Sequence, residues 1–306
     1  MRTINLGCSG LPVPAIAVGC MRINRLKKAE AARFVKTAVD LGAVLFDHAD
    51  IYADGACEEI FAEAFGMSPS KREKILVQSK CGIRKGKAFD FSKEHILASV
   101  DGSLKRLKTE YLDTLLLHRP DALMEGEEVA EAFGQLQQKG KVRFFGVSNQ
   151  NPMQIQLLKR YVKQPIVANQ LQLSIAHCGM ISQGLHNNME DEFAVQRDGN
   201  VLDFCRLNDI TIQAWSPFQH GFFNGVFLDN GEFPLLNKKI NEIAKKYAVS
   251  NTTIALAWLL RHPARIQPIT GTMNIERLKD CIRATEIKLS RDEWYAIFLA
   301  AGNILP

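Results

Sequence analysis

Residues 43–52, with the sequence AVLFDHADIY, combine a short apolar run with a carboxylate and a phenol. The apolar run ends at Asp47, and Tyr52 follows five residues later. A buried strand that stops at a carboxylate, followed by a turn that carries a phenol, is a plausible place for proton chemistry. A phenol is a poor acid with an ordinary pKa near ~10, so other side chains would have to tune it.

Other apolar segments of the chain are also followed by polar or aromatic residues. We interpret these segments as strands, since they are short, apolar and bounded by turn or helix signals. The segments and the residues that follow them are 75–79 with Lys80, 112–117 with His118, 142–147 with Ser148 and Asn149, 166–169 with Gln170, 210–214 with Trp215 and Ser216, and 265–269 with Gly271 and Thr272.

The predicted strands alternate with segments of helical periodicity, which is typical of βαβ units and a parallel sheet. The helical segments are 27–41, 56–66, 92–107, 126–139, one that begins at Pro152, 200–208, 235–247, 252–261, 274–285 and 291–300. Residues 177–200 and 216–233 lack periodicity and are predicted to be long loops, which in a compact domain are functional or locally mobile.

Eight strand–helix units follow one another when a strand through Val18 is included. The sequence therefore predicts an α/β fold, a (β/α)8 TIM barrel with an N-terminal β-hairpin in residues 3–18, as a single domain over residues 1–306. An open doubly wound sheet would carry a glycine-rich dinucleotide turn after its first strand. After Gly19 the chain reads CMRINR, which favours the barrel.

In a barrel the carboxyl ends of the strands form one rim, where active sites lie. The ionisable residues expected to converge there are Asp47, Tyr52, Lys80 and His118. Each residue alone also has a purely structural interpretation. Asp47 could be a helix cap or an ion-pair partner, and Tyr52 a half-buried aromatic. Lys80 could be a surface lysine at a strand end, and His118 a histidine in a turn. Together they suit one task. An ammonium at Lys80 would lower the pKa of the Tyr52 phenol, and Asp47 would keep that ammonium charged.

With its pKa lowered, the Tyr52 phenol could protonate a carbonyl oxygen while His118 holds that oxygen by a hydrogen bond. The hydride for such a reduction has to come from a cofactor. His48, beside Asp47, is expected to pack or to face outward. No histidine or cysteine lies at the spacing of metal ligands, so no metal site is predicted.

The composition of the chain argues against a nucleic-acid-binding protein and against a membrane protein. The chain has 306 residues, 46% hydrophobic and 23% charged, with 38 Lys plus Arg against 33 Asp plus Glu. The net charge of +5 is scattered over short clusters, which argues against nucleic-acid binding. Seven cysteines without a CxxC spacing indicate a reducing compartment. No apolar run approaches about 18 residues, so we expect a cytoplasmic protein without a membrane partner.

Seven motifs carry a resemblance to a known family. They are FDHADIY, QSKCG, LLHRPD, GVSN, ANQ, AWSPF and PITGTMNIER, in this order over nearly the whole chain. They resemble the aldo-keto reductase superfamily, and the segments HRPD and WYAIFLAAGNILP are most similar to its bacterial YdhF-type branch. The resemblance implies NAD(P)H-dependent reduction of a small carbonyl compound by an enzyme of the alcohol dehydrogenase or carbonyl reductase type. Asp47, Tyr52, Lys80 and His118 would be its catalytic tetrad, with Tyr52 as the proton donor.

The resemblance also implies a cofactor site. The nicotinamide carboxamide would contact Ser148, Asn149 and Gln170, the nicotinamide would stack on Trp215, the pyrophosphate would border Ser216 to Gly221, and the adenosine phosphate would contact Thr272, Asn274 and Arg277. Core packing is the alternative role of Trp215, which replaces the commoner tyrosine.

Two positions depart from the family pattern. Many members carry lysine or arginine where this chain has Gly271, and a frequent adenine-binding asparagine falls at Cys281. Arg277 is retained, and a guanidinium suits a phosphate. The sequence therefore predicts NADP(H) in preference to NAD(H).

Two other functions stay open. One is a cofactor-binding regulatory or redox-sensing subunit, and the other is a barrel aldolase that uses Lys80 as a Schiff base. The pocket walls are expected to include Met21, Arg22, Phe89, Arg119 and the two long loops. The two arginines could bind a carboxylate on the substrate or pair with acids such as Asp50 and Asp121.

Overall fold

A computed structural model describes residues 1–306, beginning with an antiparallel hairpin. Strands β1 (Thr3–Asn5) and β2 (Pro12–Pro14) pair with Ile4 opposite Val13. Leu6 and Val13 are buried in a small cluster with residues of the barrel strands. The predicted N-terminal hairpin is therefore confirmed, and it closes the end of the barrel at which the strands begin.

Eight parallel strands form a closed barrel and follow one another around it in chain order. They are β3 (Ala17–Gly19), β4 (Leu45–Asp47), β5 (Leu76–Cys81), β8 (Leu112–Leu117), β9 (Val142–Ser148), β10 (Ile166–Gln172), β11 (Thr211–Trp215) and β12 (Ile266–Thr270). The predicted (β/α)8 barrel is confirmed. A two-stranded hairpin that the sequence did not predict, β6 (Ile83–Arg84) with β7 (Ala88–Phe89), follows β5.

The helices surround the barrel. They are α1 (Lys28–Asp40), α2 (Ala56–Phe65), α3 (Pro69–Arg72), α4 (Lys93–Leu107), α5 (Gly126–Gln138), α6 (Pro152–Lys159), α7 (Gly179–Leu185), α8 (Val201–Leu207), α9 (Pro234–Tyr247), α10 (Asn251–Arg261), α11 (Ile275–Arg283) and α12 (Arg291–Ala300). Side-chain caps start several of them, as where Asn151 accepts a hydrogen bond from the Gln154 N–H. None of the helices combines the length and apolar character needed to cross a membrane.

The segment 177–200, predicted to be a loop, contains α7 and a 3-10 turn over Glu192–Ala194. Helix α7 has seven residues, too few to produce a periodic pattern. It is held by tertiary contacts, since the Ser182 hydroxyl donates to Asn303 Oδ1 at 2.7 Å. Nearby, the buried His186 ring contacts both Asp191 Oδ2 at 2.9 Å and the Ile304 main-chain oxygen at 3.0 Å. The C-terminal segment therefore packs on this region.

Candidate active site

Lys80 lies at the centre of the predicted catalytic cluster. Its Nζ donates to Asp47 Oδ2 at 2.8 Å, to the His48 main-chain oxygen at 2.7 Å and to Tyr52 Oη at 3.1 Å. An ammonium has three N–H groups, and all three are used. Asp47 is 3% exposed and Lys80 is 1% exposed, so the ion pair is shielded from water. The adjacency of β4 and β5, with Asp47 opposite Gln78, brings the two side chains together.

A tight turn carries Tyr52 onto Lys80. The chain forms a 3-10 turn over Tyr52–Gly55, and Ala53 and Asp54 have positive φ angles of 49° and 54°. Left-handed backbone at non-glycine residues costs about 1–2 kcal/mol each, so the surrounding packing has to hold this turn.

His118 follows β8 and faces Tyr52. The two ring centroids are 6.0 Å apart with the planes at 81°. Burial, together with the positive charges of Lys80 and Arg119, lowers the pKa of His118 well below its ordinary value. The imidazole is therefore neutral at neutral pH. Its Nδ1 is buried and has no hydrogen-bond partner, so Nε2 is the ring nitrogen that a substrate can reach.

Lys80 acts on the pKa of the Tyr52 phenol in the predicted direction, but burial has the larger effect and the net direction is upward. Burial raises the pKa of the phenol above its ordinary value of 10.0, and Lys80 only partly opposes that increase. Asp47 adds to the effect of burial, because its negative charge disfavours the phenolate. Tyr52 therefore retains its proton at neutral pH.

Three glutamines that the sequence interpretation missed continue the site into the barrel. Asp47 Oδ1 accepts hydrogen bonds from Gln78 Nε2 at 2.6 Å and from Gln170 Nε2 at 3.0 Å. Gln213 Nε2 donates to Gln78 Oε1 at 3.0 Å and to Gln267 Oε1 at 2.9 Å. The missed residues are Gln78, Gln213 and Gln267. Polar residues inside otherwise apolar strands were the available signal, with Gln78 two residues before Lys80 and so on the same face of β5.

Gln267 Nε2 in turn donates to the Pro14 main-chain oxygen at 2.6 Å. The amides therefore connect the Asp47 carboxylate with the hairpin at the other end of the barrel. Buried amides of this kind are stable only when each polar atom has a partner, and the hydrogen bonds of this series satisfy the amide nitrogens.

The three residues expected at the carboxamide lie together. Ser148 Oγ donates to the Gln170 main-chain oxygen at 2.9 Å, and Asn149 Nδ2 donates to Ser148 Oγ at 2.7 Å. Trp215 Nε1 donates to Asn149 Oδ1 at 3.1 Å. Strand β10 continues to Gln172, so Gln170 lies within the strand and not after it. Its Nε2 is bound to Asp47, while no protein group donates to its Oε1.

The expected phosphate contacts lie at the start of α11. Asn274 caps this helix by accepting a hydrogen bond from the Arg277 N–H at 3.0 Å, and Thr272 Oγ1 accepts from the Asn274 N–H at 3.2 Å. Arg277 is exposed in the first turn. Cys281 is only 1% exposed and its Sγ lies 3.4 Å from Thr270 Oγ1, so it packs in the core and does not present a group to an adenine.

The loop that follows β11 lies between the residues expected at the carboxamide, which follow β9 and lie on β10, and those expected at the phosphate, which follow β12. Ser216 starts it with a φ of 51°, and its main-chain oxygen accepts from the Gln219 N–H at 3.0 Å. The Gly221 main-chain oxygen accepts from Gln172 Nε2 at 2.8 Å. At the adjacent ends of β3 and β12, Arg22 Nη1 donates to the Gly271 main-chain oxygen at 3.4 Å.

These groups fit a nicotinamide dinucleotide. Gln170 Oε1 is a free acceptor for an amide N–H, Trp215 is half-buried at the end of its strand, and the N-terminus of α11 offers N–H groups for a phosphate. The guanidinium groups of Arg22 and Arg277 add positive charge on the phosphate side.

Of the side chains expected to line a substrate pocket, Arg119 lies beside the loop after β11, with its Cζ 5.6 Å from the Phe222 ring centroid. Met21 and Phe89 are exposed at this end of the barrel, as are Phe222 and Phe223 in the loop after β11. His48, in contrast, is fully buried with its ring centroid 4.6 Å from that of Phe61, so it packs as expected.

Comparisons with known proteins agree with this geometry. The sequence pattern of the Aldo/keto reductase family matches residues 15–298. A Bacillus subtilis (strain 168) relative, "Uncharacterized oxidoreductase YcsN", is 38% identical over 302 residues, covering 94% of this chain and 94% of the relative. "Oxidoreductase YdhF" of Escherichia coli (strain K12) is 34% identical over 275 residues, covering 88% and 86%. The solved structure of a thermostable aldo-keto reductase, Tm1743, has a TM-score of 0.80 at 28% identity and covers 98% of this chain and 100% of that chain.

The relatives are described as oxidoreductases, which supports an enzyme over a regulatory subunit. Members of this family use nicotinamide cofactors. The predicted resemblance of the chain to the YdhF-type branch is confirmed. The chain therefore belongs to the aldo/keto reductase family, and it is an oxidoreductase that reduces an aldehyde or ketone to an alcohol with a nicotinamide cofactor.

Proposed function

We propose that Tyr52 is the proton donor of this carbonyl reduction, with Lys80, Asp47 and His118 as its partners. The observation that carries the proposal is the 3.1 Å hydrogen bond between Lys80 Nζ and Tyr52 Oη. The ammonium is fixed on its other side by Asp47 and the His48 main-chain oxygen. A phenolate formed at Tyr52 would therefore lie next to a full positive charge.

A bound nicotinamide would supply the hydride to the carbonyl carbon. The carbonyl oxygen then carries the electron pair of the broken C=O π bond and takes the proton of Tyr52, which gives the alcohol and leaves a phenolate. The raised pKa of Tyr52 keeps the proton in place until the oxygen becomes basic. The neutral His118 ring donates to the same oxygen and orients it.

The cofactor contacts are part of the proposal. Ser148, Asn149 and Gln170 would bind the carboxamide, and the Trp215 ring would stack on the nicotinamide. Trp215 Nε1 donates to Asn149 Oδ1, so a bound carboxamide would have to share or replace this hydrogen bond.

We also propose NADPH as the preferred cofactor of a carbonyl reductase of the alcohol dehydrogenase type. The support is the phosphate side of the site. Arg277 is exposed at the capped start of α11, close to Thr272 and Asn274, and it forms no ion pair. Ser216 to Gly221 border the pyrophosphate.

Tyr52→Phe tests the central assignment, because it removes the proton and retains the ring. The change should lower kcat for NADPH-dependent reduction of 4-nitrobenzaldehyde by at least about 100-fold. The dissociation constant for NADPH, followed through quenching of tryptophan fluorescence, should remain within about twofold of wild type. Turnover at the wild-type rate would refute the assignment.

The aldolase alternative loses support. Burial by itself would lower the pKa of Lys80, but Asp47 and Tyr52 raise it above its ordinary value. A charged amine with all three N–H groups bonded has no lone pair for Schiff-base formation.

A further inference from the structure

We propose that Arg119 selects the substrate by binding a carboxylate that is carried by the aldehyde or ketone. The inference rests on the proposed function, because that function places the carbonyl between Tyr52 and His118. Arg119 directly follows His118, so their Cα atoms are about 3.8 Å apart. A guanidinium on the residue next to the carbonyl site can reach a carboxylate on the same small molecule.

The Arg119 guanidinium has no acidic partner in the protein. Of the two acids considered from the sequence, Asp121 accepts hydrogen bonds from two main-chain N–H groups at 2.8 and 2.9 Å. Asp50 instead lies near Glu58 and Arg106. The ion pairs of the chain do not include Arg119, and its five N–H donors are not used by protein acceptors.

Two aromatic rings hold this unpaired group in place. The Arg119 Cζ lies 5.8 Å from the centroid of the Trp215 ring and 5.6 Å from that of Phe222. The two rings meet edge to face with centroids 6.2 Å apart. A cation at such a distance from aromatic faces is favoured, so the side chain is positioned before a substrate arrives.

The position is also partly dehydrated. Burial lowers the pKa of Arg119 from its ordinary value, while Tyr52 acts in the opposite direction. The guanidinium stays charged at neutral pH and lacks an anion that would compensate for the lost water. A carboxylate matches its planar donor groups by two parallel hydrogen bonds.

The remaining charges of the site cancel. Lys80 and Asp47 form a buried ion pair, and His118 is neutral. Arg119 is therefore the uncompensated charge next to the carbonyl site, and an oxo acid fits this balance better than a neutral carbonyl compound of the same shape.

The test compares two aromatic aldehydes of nearly the same size, 4-formylbenzoate and 4-formylbenzamide, with NADPH saturating. Wild type should have a kcat/KM for the carboxylate at least about tenfold above that for the amide, the scale of a hydrogen bond to a charged group. Arg119→Met retains length but removes charge, and the ratio should fall to about 1. Arg119→Lys retains charge without the planar fork, and the ratio should be intermediate.

Arg160→Met is the matched control, since Arg160 is exposed where α6 ends, at the end of the barrel opposite to the strand ends that carry the site. Its carboxylate-to-amide ratio should equal that of wild type. Binding of terephthalate, measured by calorimetry in the presence of NADP+, gives a readout that needs no turnover. It should weaken at least about tenfold in Arg119→Met and remain unchanged in the control.

A wild-type ratio near 1, or a ratio and a terephthalate affinity that persist in Arg119→Met, would overturn the role of Arg119. Weakened NADPH binding in Arg119→Met would assign this residue to the cofactor and would also overturn it. If wild type reduces neither aldehyde, the failure lies in the proposed function, and terephthalate binding then decides about Arg119 separately.

Discussion

Arg22 occupies the space above Gly271: its Nη1 lies 3.4 Å from the Gly271 main-chain oxygen and would be 3.1 Å from a Cβ atom at that position. The guanidinium comes from the segment after β3, although it lies beside the segment after β12. Many family members carry a lysine or arginine at the position of Gly271. In this chain the Arg22 guanidinium supplies a positive charge in the same space.

We expect Arg22→Leu to raise the dissociation constant for NADPH by about tenfold, because a charge-assisted contact with a phosphate is lost. Gly271→Ala should have a smaller effect in the same direction, since the new methyl group displaces a flexible side chain. Fluorescence titration measures both. Arg25→Leu serves as the control, since it removes an exposed arginine at the end of the 3-10 turn Ile23–Arg25, which directly follows Arg22. Equal affinities for Arg22→Leu and wild type would exclude Arg22 from the cofactor site.

The pH dependence of reduction should be flat through the neutral range. Tyr52 has to be protonated to act as an acid, and burial raises its pKa above 10.0, so activity is lost only as pH rises through that higher value. The pKa of His118 is lowered, so this ring does not change charge in the same range. The measurement is kcat/KM for a neutral aldehyde from about pH 7 to 9. A decline centred inside this range would contradict the assignment.

Asp50 should make the protein less stable as pH rises through weakly acidic values. Burial, and then the neighbouring Glu58, raise the pKa of Asp50 from 3.8 to about 6. Between these values the folded state binds a proton that the unfolded state has released, so the free energy of unfolding falls with increasing pH. Asp50→Asn should therefore be more stable than wild type at pH 7.5 by about 1–3 kcal/mol. The difference should vanish below about pH 4.

Urea denaturation at both pH values measures the effect. Asp54→Asn is a suitable control, since Asp54 is exposed and pairs with the exposed Lys85, and such pairs contribute about 0–1 kcal/mol. A wild-type protein that is as stable as Asp50→Asn at pH 7.5 would show that the carboxylate is better solvated than its burial indicates.

His186 should attach the C-terminal segment in a pH-dependent manner. Its two ring nitrogens face Asp191 Oδ2 and the Ile304 main-chain oxygen, both of which only accept hydrogen bonds. These partners raise the pKa of His186 above 6.5, so the contribution to stability is complete below 6.5 and is lost as pH rises through the higher folded value. Removal of residues by carboxypeptidase Y, corrected for the activity of the protease, should accelerate over that interval.

In His186→Gln the side-chain amide can donate to Asp191 or to the Ile304 main-chain oxygen, but not to both. The acceleration of carboxypeptidase digestion with rising pH should therefore disappear in this variant. A pH-dependent release that persists in this variant would assign the effect to other groups.

The sequence predicted those features that depend on local pattern. The strands ended near Asp47, Lys80 and His118 because apolar runs stop there, and barrel geometry then brought these side chains together. Features that depend on burial could not be predicted from the sequence. The direction of the Tyr52 pKa requires the desolvation of the phenol, and the position of Cys281 in the core requires the packing of α11 against β12.

Helix α7 was missed for a related reason. Its seven residues are stabilised by contacts with Asn303, which lies more than a hundred residues away in the chain. A hydrogen bond between such distant residues leaves no periodic signal. Gln213 and Gln267 did leave a signal, as polar residues in apolar strands, but their partners became apparent only from the closed barrel.

The series of amides from Pro14 to Asp47 has a fixed polarity. A carboxylate oxygen at one end and a proline carbonyl at the other can only accept, so the Nε2 atoms of Gln78 and Gln267 have to point outward to these ends. Gln213 then has to donate to both. No amide can rotate by itself without placing two acceptors or two donors against each other. The hairpin thereby helps to fix the orientation of the amides that connect it with the Asp47 carboxylate.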